Sequence, residues 1–549
     1  MTKPKPSITV DACKLSMGNI SVPIGLINAV QGYMEVMGLR RYLDSLKIKG
    51  VSLGSLVAIM TVFGLSEDNS MAACAKWLND IRVRRFFGIT DNVSQRTLNR
   101  ALQRLGRNRE GIILALYKGI KKLYPDIDMD VDADGSSVAM NSEGGLSKRG
   151  YPRDKNPDGM QVEFMLGMFE TARIPFYVQS FMGNVSDEEQ YARAIPEMLG
   201  LMDKEDLHAY QQIADRLVSD IKLRNEERAL SKASRKKGKK GRKKKPKPQT
   251  AEEQENRLAL LKMNRLLGNV SWVIFDNGGA SVYNTEAVNE MGHEYLTRKD
   301  MNKTDLKLTE TTPCVQVEPG LVCWYETFES SGRTKYIFRA DYLKDAKESA
   351  AKRKVERMAE TAEALLKGEI DPMSLVEVKE NEFVDFDVSV RIQQILVEYS
   401  EEEKAALVEK YKGKYCGFFH LESSAPLTPL EAIQKYRKRI AIEHAIKSLK
   451  NVAGIKPMRV WDDDSVTGRM VLALLAEAIM SMIRYEYPPD EVKVTRKGVT
   501  SKKAHRPDNK SICKILNQLT ATIYNDEGKR KKVVLSGVSE ESVGIFERL

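Results

Sequence analysis

"YRKRIAIEHAIKSLK", Tyr436 to Lys450, is the stretch on which the reading of the fold turns. The run has no proline or glycine and predicts one continuous helix. At about 100° per residue, Tyr436, Arg439, Glu443 and Lys450 fall within about 60° of one another, so four unlike polar groups share one edge. Ala441, Ile442, Ala445, Ile446 and Leu449 form a separate apolar stripe that faces a core. His444, Arg437 and Ser448 point elsewhere. A carboxylate bordered by a phenol and two cations suits a metal-ligand position flanked by phosphate clamps. A solvated surface helix with i,i+4 ion pairs fits the same spacing.

Upstream, two acids stand at the ends of strand-like segments. "DIDMDVDADGSSV" (Asp126 to Val138) packs five acids ahead of a hydroxyl-rich turn. Asp132 and Asp134 could form the Asp-x-Asp-Gly pair of a haloacid-dehalogenase-type phosphatase, or one of them could be the first metal-binding acid of a nuclease or transposase. The phosphatase fold prefers a continuous apolar strand before its nucleophile, and Asp128 and Asp130 interrupt that run. "VSWVIFDNGG" (Val270 to Gly279) ends a compact apolar strand at Asp276. Between them, "QVEFMLGMFE" and "FYVQSFMGN", joined by "TARIP", predict a β-hairpin. Asp126, Asp128 and Asp130 are expected to be solvated turn or strand-edge residues; like charges so close repel one another unless something intervenes.

The rest of the chain frames these segments. At 549 residues, several domains are expected. Residues 1–125 predict an all-α N-terminal domain that binds DNA. Within it, "VSQRTLNRALQRLG" starts with Ser94 as an N-cap and puts Leu98, Ala101, Leu102 and Leu105 on one face. Arg96, Arg100 and Arg104 share another face, suited to phosphates or to plain solvation. Residues 126–302 read as the first part of an α/β core and 303–427 as a β-rich insertion. Residues 428–485 return to the core, and 486–549 form a C-terminal segment suited to dimerisation or DNA contact.

The formal charge of +11 resides in one place: Lys232 to Lys247 carries eleven Lys and Arg and no acid. Such a run is expected to be a solvated linker (231–248), and near a polyanion it adds affinity without reading sequence. Six scattered cysteines without a Cys-x-x-Cys pair predict reduced thiols and no zinc site. Val466 to Ile483 is strongly apolar but broken by Arg469 and Glu477, so it predicts a buried helix and not a membrane span. No signal-like leader is evident, and a cytoplasmic protein is expected.

Tyr-x2-Arg-x3-Glu-x6-Lys, as Tyr436, Arg439, Glu443 and Lys450, resembles the signature of the YREK group of bacterial and archaeal insertion-sequence transposases, DDE enzymes with an RNase H-like catalytic domain. Similar segments extend over most of the chain: "DGSSV" at the first acid, "SKRGYPRDKNPDGMQVEFMLGMFE" leading into the hairpin, "PFYVQSFMGNVSD", "VIFDNGGAS" at the second acid, and "KPMRVWDDDSVTGRMVLALLAE" after the Glu helix. Ser136 stands where Thr is usual, Asn277 where Arg is common, and the basic run looks inserted.

The resemblance implies an RNase H-like core whose catalytic and metal-binding acids are Asp134, Asp276 and Glu443, with Asp132 the lesser candidate for the first. It implies two Mg²⁺ ions, replaceable by Mn²⁺, which suit hard oxygen ligands and in-line phosphoryl transfer. It also implies phosphate contacts from Tyr436, Arg439 and Lys450, and cut-and-paste transposition through a hairpin intermediate. The partners would be terminal inverted repeats, target DNA and a second copy of the chain. Trp324 is a candidate for holding a flipped base; a Trp within an apolar strand also suits core packing. A catalytically silent DNA-binding remnant is the alternative of a different class.

Overall fold

The computed structural model describes residues 20–66, 70–141, 143–150, 159–235, 271–328, 332–371, 376–381, 384–390, 400–487, 489–496, 499–524 and 532–539. The chain divides into two compact units, one of residues 1–295 and 436–549, the other of residues 296–435. It is a mixed α/β protein. Most of the basic run, residues 251–270 and part of the segment before the hairpin lie outside the described residues.

The first unit begins with β1 (Ile20–Val22) and seven helices: α1 (Ile24–Val36), α2 (Leu39–Ser45), α3 (Leu53–Ser66), α4 (Met71–Trp77), α5 (Ile81–Phe86), α6 (Gln95–Arg107) and α7 (Arg109–Leu123). The Ser94 hydroxyl caps α6 by accepting from the Thr97 amide, and Leu98, Ala101, Leu102 and Leu105 are its buried residues. Strands β2 (Val131–Met140), β3 (Lys148–Arg149), β4 (Met160–Phe169) and β5 (Pro175–Met182) follow, then α8 (Asp187–Lys204), α9 (Gln211–Arg235), β6 (Trp272–Phe275), α10 (Val282–Glu290) and β7 (Glu294–Lys299). β2, β4 and β5 are antiparallel neighbours, and β6 lies parallel to β2 on its other side.

The second unit holds α11 (Lys303–Thr311), β8 (Val315–Glu318), β9 (Leu321–Thr327), β10 (Thr334–Ala340), α12 (Asp341–Leu366), β11 (Val376–Asn381), β12 (Val384–Val390), α13 (Glu401–Lys412) and β13 (Phe418–Ser423). β13 pairs antiparallel with both β10 and residues 296–299 of β7, and β9 lies between β10 and β8. α12 and α13 pack through Val355 and Met358. Residues 303–427 fall inside this unit.

After α14 (Pro429–Arg437), the first unit resumes with α15 (Ile440–Asn451), α16 (Asp463–Glu486), the β14 (Asp490–Arg496) and β15 (Val499–His505) hairpin, α17 (Asn509–Gln518), β16 (Thr520–Tyr524) and β17 (Lys532–Ser536). α16 is long and apolar enough to cross a membrane, but 94% of its apolar window is buried inside the protein. It packs on α6, α3, α7 and β5.

The early helices pack closely against later elements of the same unit. The early helices, the hairpin and α16 share one continuous core, and β1 pairs with β16 from the far end of the chain. Two glycines permit the closest approach: a Cβ on Gly468 would lie 1.9 Å from the Leu102 carbonyl oxygen, and one on Gly106 1.9 Å from that of Asp464. Within α16, Glu477 is fully enclosed and accepts hydrogen bonds from Ser448, at 2.6 Å, and from Asn509. It ties α15 and α17 to the central helix.

Candidate functional site

The register of β2 and β6 builds the site. Val131 lies opposite Val273 and Asp132 opposite Ile274. Carried two residues further, that register leads to Asp134 on β2 and to Asp276 just past the end of β6, on one sheet face, and both carboxylates act on Tyr191 and Arg439. Asp276 directly follows the last residue of β6. Its Oδ1 accepts from the Gly278 amide at 3.0 Å and from the Tyr191 hydroxyl at 2.9 Å. The first of these is an Asx turn, which fixes the carboxylate as the chain leaves the strand.

Tyr191 comes from α8, whose N-terminus is capped by Ser186. The ring is 2% exposed, and its hydroxyl also lies 3.3 Å from the Ala133 carbonyl. Burial, followed by the charges of Asp276 and Asp134, pushes the phenol far above its ordinary range. It is therefore a fixed neutral donor.

Arg439 completes the cluster. Its Nη2 lies 3.2 Å from Asp134 Oδ1 and 3.5 Å from the Ala133 carbonyl. Its guanidinium also sits 5.8 Å from the centre of the Tyr436 ring. Burial works against the charge, but the carboxylates, Asp134 first and Asp276 with it, outweigh it, so Arg439 is held protonated. The geometry brings together Asp134, Asp276, Arg439 and Tyr436 from the residues expected at the site. Tyr191 was not anticipated. Its only signal was a phenol on the buried face of a well-capped helix, which is also what core tyrosines look like.

The helix carrying Arg439 differs from the one expected. Tyr436 to Lys450 is not continuous: α14 ends at Arg437 and α15 starts at Ile440. Around the break the amides of Arg439, Ala441 and Ile442 bond three residues back instead of four, a tightened turn of 3₁₀ type. Both residues at the break are held by acids from the sheet, Arg439 by Asp134 and Lys438 by Glu170 at 2.9 Å. The apolar stripe is as expected, with Ala441, Ile442, Ala445, Ile446 and Leu449 buried.

Glu443 lies one turn beyond Arg439 on α15, which packs on β2, and its side chain is exposed. Among the described residues, no three His, Cys, Asp or Glu side chains converge closely enough to hold a metal ion. Asp134 and Asp276 offer hard oxygen donors; the third acid is not gathered with them among the described residues. Lys450 is half-buried near the end of α15.

Asp126 and Asp128 are exposed as expected, but Asp130 is buried. Its Oδ1 accepts from the Trp272 amide at 2.7 Å, so it secures the start of β6 instead of facing solvent. Asp132 is fully buried, which leaves the Asp-x-Asp pair of a phosphatase with one sealed member. In the second unit, Trp324 is half-buried on β9, stacked on Phe418 at 6.2 Å with Arg339 over its ring. Cys74, Cys314, Cys323, Cys416 and Cys513 are unpaired thiols.

No protein-family model matches the chain, and no curated protein matches it. Among solved structures, a cryo-EM structure of the piggyBac transposase synaptic complex with hairpin DNA aligns at a TM-score of 0.33 and 8% identity. The alignment covers 93% of this chain and 81% of that one.

Proposed function

We propose that the chain is a DNA transposase of the insertion-sequence type, binding terminal inverted repeats as a homodimer and cutting and rejoining DNA strands at Asp134, Asp276 and Glu443. The observation that carries this reading is that the parallel β2–β6 register leads to Asp134 and, just past β6, to Asp276, with the Arg439 guanidinium against Asp134 and under the charge of Asp276. The strand order β5-β4-β2-β6, antiparallel in its first three members and parallel at the last, supports an RNase H-like core.

Two carboxylates fit magnesium, which keeps several waters and needs few protein ligands. In this reading Asp134 and Asp276 hold it, joined by Glu443 one turn along α15. Bound magnesium would supply activation of the attacking oxygen and stabilisation of the leaving one. The chain's own groups do the positioning. Tyr191 and the Gly278 amide aim Asp276. Arg439 brings a permanent cation beside the acids, and with Tyr436 and Lys450 it holds phosphates near the cleaved bond. Trp324 is the group proposed to receive a flipped base.

A second reading, DNA binding without catalysis, is favoured by one observation: the third acid does not join the pair among the described residues. One experiment separates the two. Duplexes carrying the ends that flank the gene are incubated with Mg²⁺ and wild-type, Asp276→Ala or Glu443→Gln protein. Cleavage by wild type alone is expected. Cleavage that persists in Asp276→Ala removes the assignment, and binding without cleavage by wild type supports the silent reading.

A further inference from the structure

Away from the acids, the helical part of the first unit carries an open cleft between the turn that joins α2 to α3 and the middle of α6. Lys47 and Lys49 stand on one wall and Arg100 and Arg104 on the other, with Asp91 the one acid of the lining among the described residues. The two walls sense each other. Burial, and then the Arg104 charge, lower the Lys47 amine from its ordinary range, with Asp44 opposing. The Lys47 amine donates to the Val51 carbonyl on its own wall, and an anion between the walls would offset the repulsion from Arg104.

Between the two lysines, Ile48 is 94% exposed, on a turn completed by Gly50 at φ +73. This aliphatic side chain is flanked by cations on an open turn. It suits contact with deoxyribose or a base edge, where apolar groups are inserted beside phosphate-binding cations. Cations on both walls and a nearly acid-free lining fit a continuous polyanion better than a single small anion.

Resting on the DNA reading above, we propose that this cleft seats the sugar–phosphate backbone of duplex DNA, with Lys47, Lys49, Arg100 and Arg104 on phosphates and Ile48 against the sugar or base edge. The contact is sequence-independent, so a random-sequence duplex is a sufficient probe.

The test measures duplex binding by the full-length protein, by fluorescence anisotropy across a salt series. Each phosphate contact contributes about 0.9 to the slope of log K against log salt. Arg100→Gln/Arg104→Gln should therefore lower the slope by about two and weaken binding at least tenfold at low salt. Ile48→Ala should weaken binding with the slope unchanged. Lys49→Gln, altering an exposed side chain, should lower the slope by about one and carries the test if the double variant does not fold. A folded double variant with the wild-type slope overturns the cleft while leaving the DNA reading intact, whereas a wild-type protein that binds no duplex overturns both. Variants that lose binding to polyglutamate but not to the duplex assign the cleft to an acidic protein and overturn the proposal.

Discussion

The guanidinium of Arg439 lies 3.2 Å from the carboxylate of Asp134, with the two side chains only 7% and 15% exposed. Asp276 also acts on the same guanidinium, so one cation serves two acids. Removing one member of a buried pair leaves a charge without compensation and costs about 3–5 kcal/mol. Arg439→Gln leaves two neighbouring carboxylates facing each other. Asp134→Asn leaves one acid and one cation. Arg439→Gln is therefore expected to lower the melting midpoint further than Asp134→Asn, and the double variant to recover part of the loss. Additive losses in the double-mutant cycle would show that the two side chains are not coupled.

The Tyr191 hydroxyl donates to Asp276, while its ring packs against Phe275 and Gly279 on either side of that acid. Tyr191→Phe keeps the packed ring and removes a hydrogen bond to a charged group, a stability change of roughly 1.5–3 kcal/mol at most. Its effect on chemistry is expected in the metal dependence, since Asp276 loses one of the groups that aim it. The Mg²⁺ concentration giving half-maximal end cleavage should rise several-fold, while the maximal rate falls less. A fall in maximal rate with an unchanged Mg²⁺ requirement would assign Tyr191 to packing alone.

The parts of this site that were legible in the sequence are those set by local rules. Ser94 reads as a cap because its hydroxyl serves an amide three residues on. The hairpin around 171–174 reads from the turn between two apolar strands. Asp276 reads as a strand end because the apolar run stops there. The break at Lys438 and Arg439 was not legible, because no glycine or proline marks it. The acids that hold it, Glu170 and Asp134, come from β4's end and β2. Asp130 misled for a similar reason. An acid among acids reads as solvated, but its partner is the Trp272 amide, brought in by the parallel pairing of β2 and β6. The shared core of the N-terminal helices and α16 likewise depends on glycines that meet only after folding.

Those glycines yield a stability prediction. A methyl group on Gly468 or Gly106 would overlap a backbone carbonyl of the facing helix, and backbone cannot step aside as a side chain can. Gly468→Ala and Gly106→Ala should each destabilise the first unit by about 1–3 kcal/mol or more. Gly32, inside α1, has nothing within 4 Å of its would-be Cβ. Gly32→Ala should be stabilising by about 0.5–1 kcal/mol through helix propensity. Melting midpoints of the three variants decide it, and equal effects would mean that α6 and α16 do not approach as closely as described.

Glu477 sets a pH dependence whose sign follows from its burial. Enclosure in α16 pushes its carboxyl from 4.5 up to about 7, against hydrogen bonds from Ser448 and Asn509 that favour the charged form. The folded state thus binds the proton more tightly than the unfolded chain. Between these two pH values the unfolded chain is the more deprotonated one, so stability falls as pH rises. The contribution is fully present below about pH 4.5 and lost by about pH 7, for a total on the order of 3 kcal/mol. Glu477→Gln keeps the size and can still pair with Ser448 and Asn509, but it does not titrate. The variant should match or fall slightly below wild type near pH 5 and exceed it at pH 8. Denaturation midpoints measured across that range should show the wild-type decline flattened in the variant. Parallel pH profiles for the two proteins would mean that Glu477 is charged throughout and that another group governs the slope.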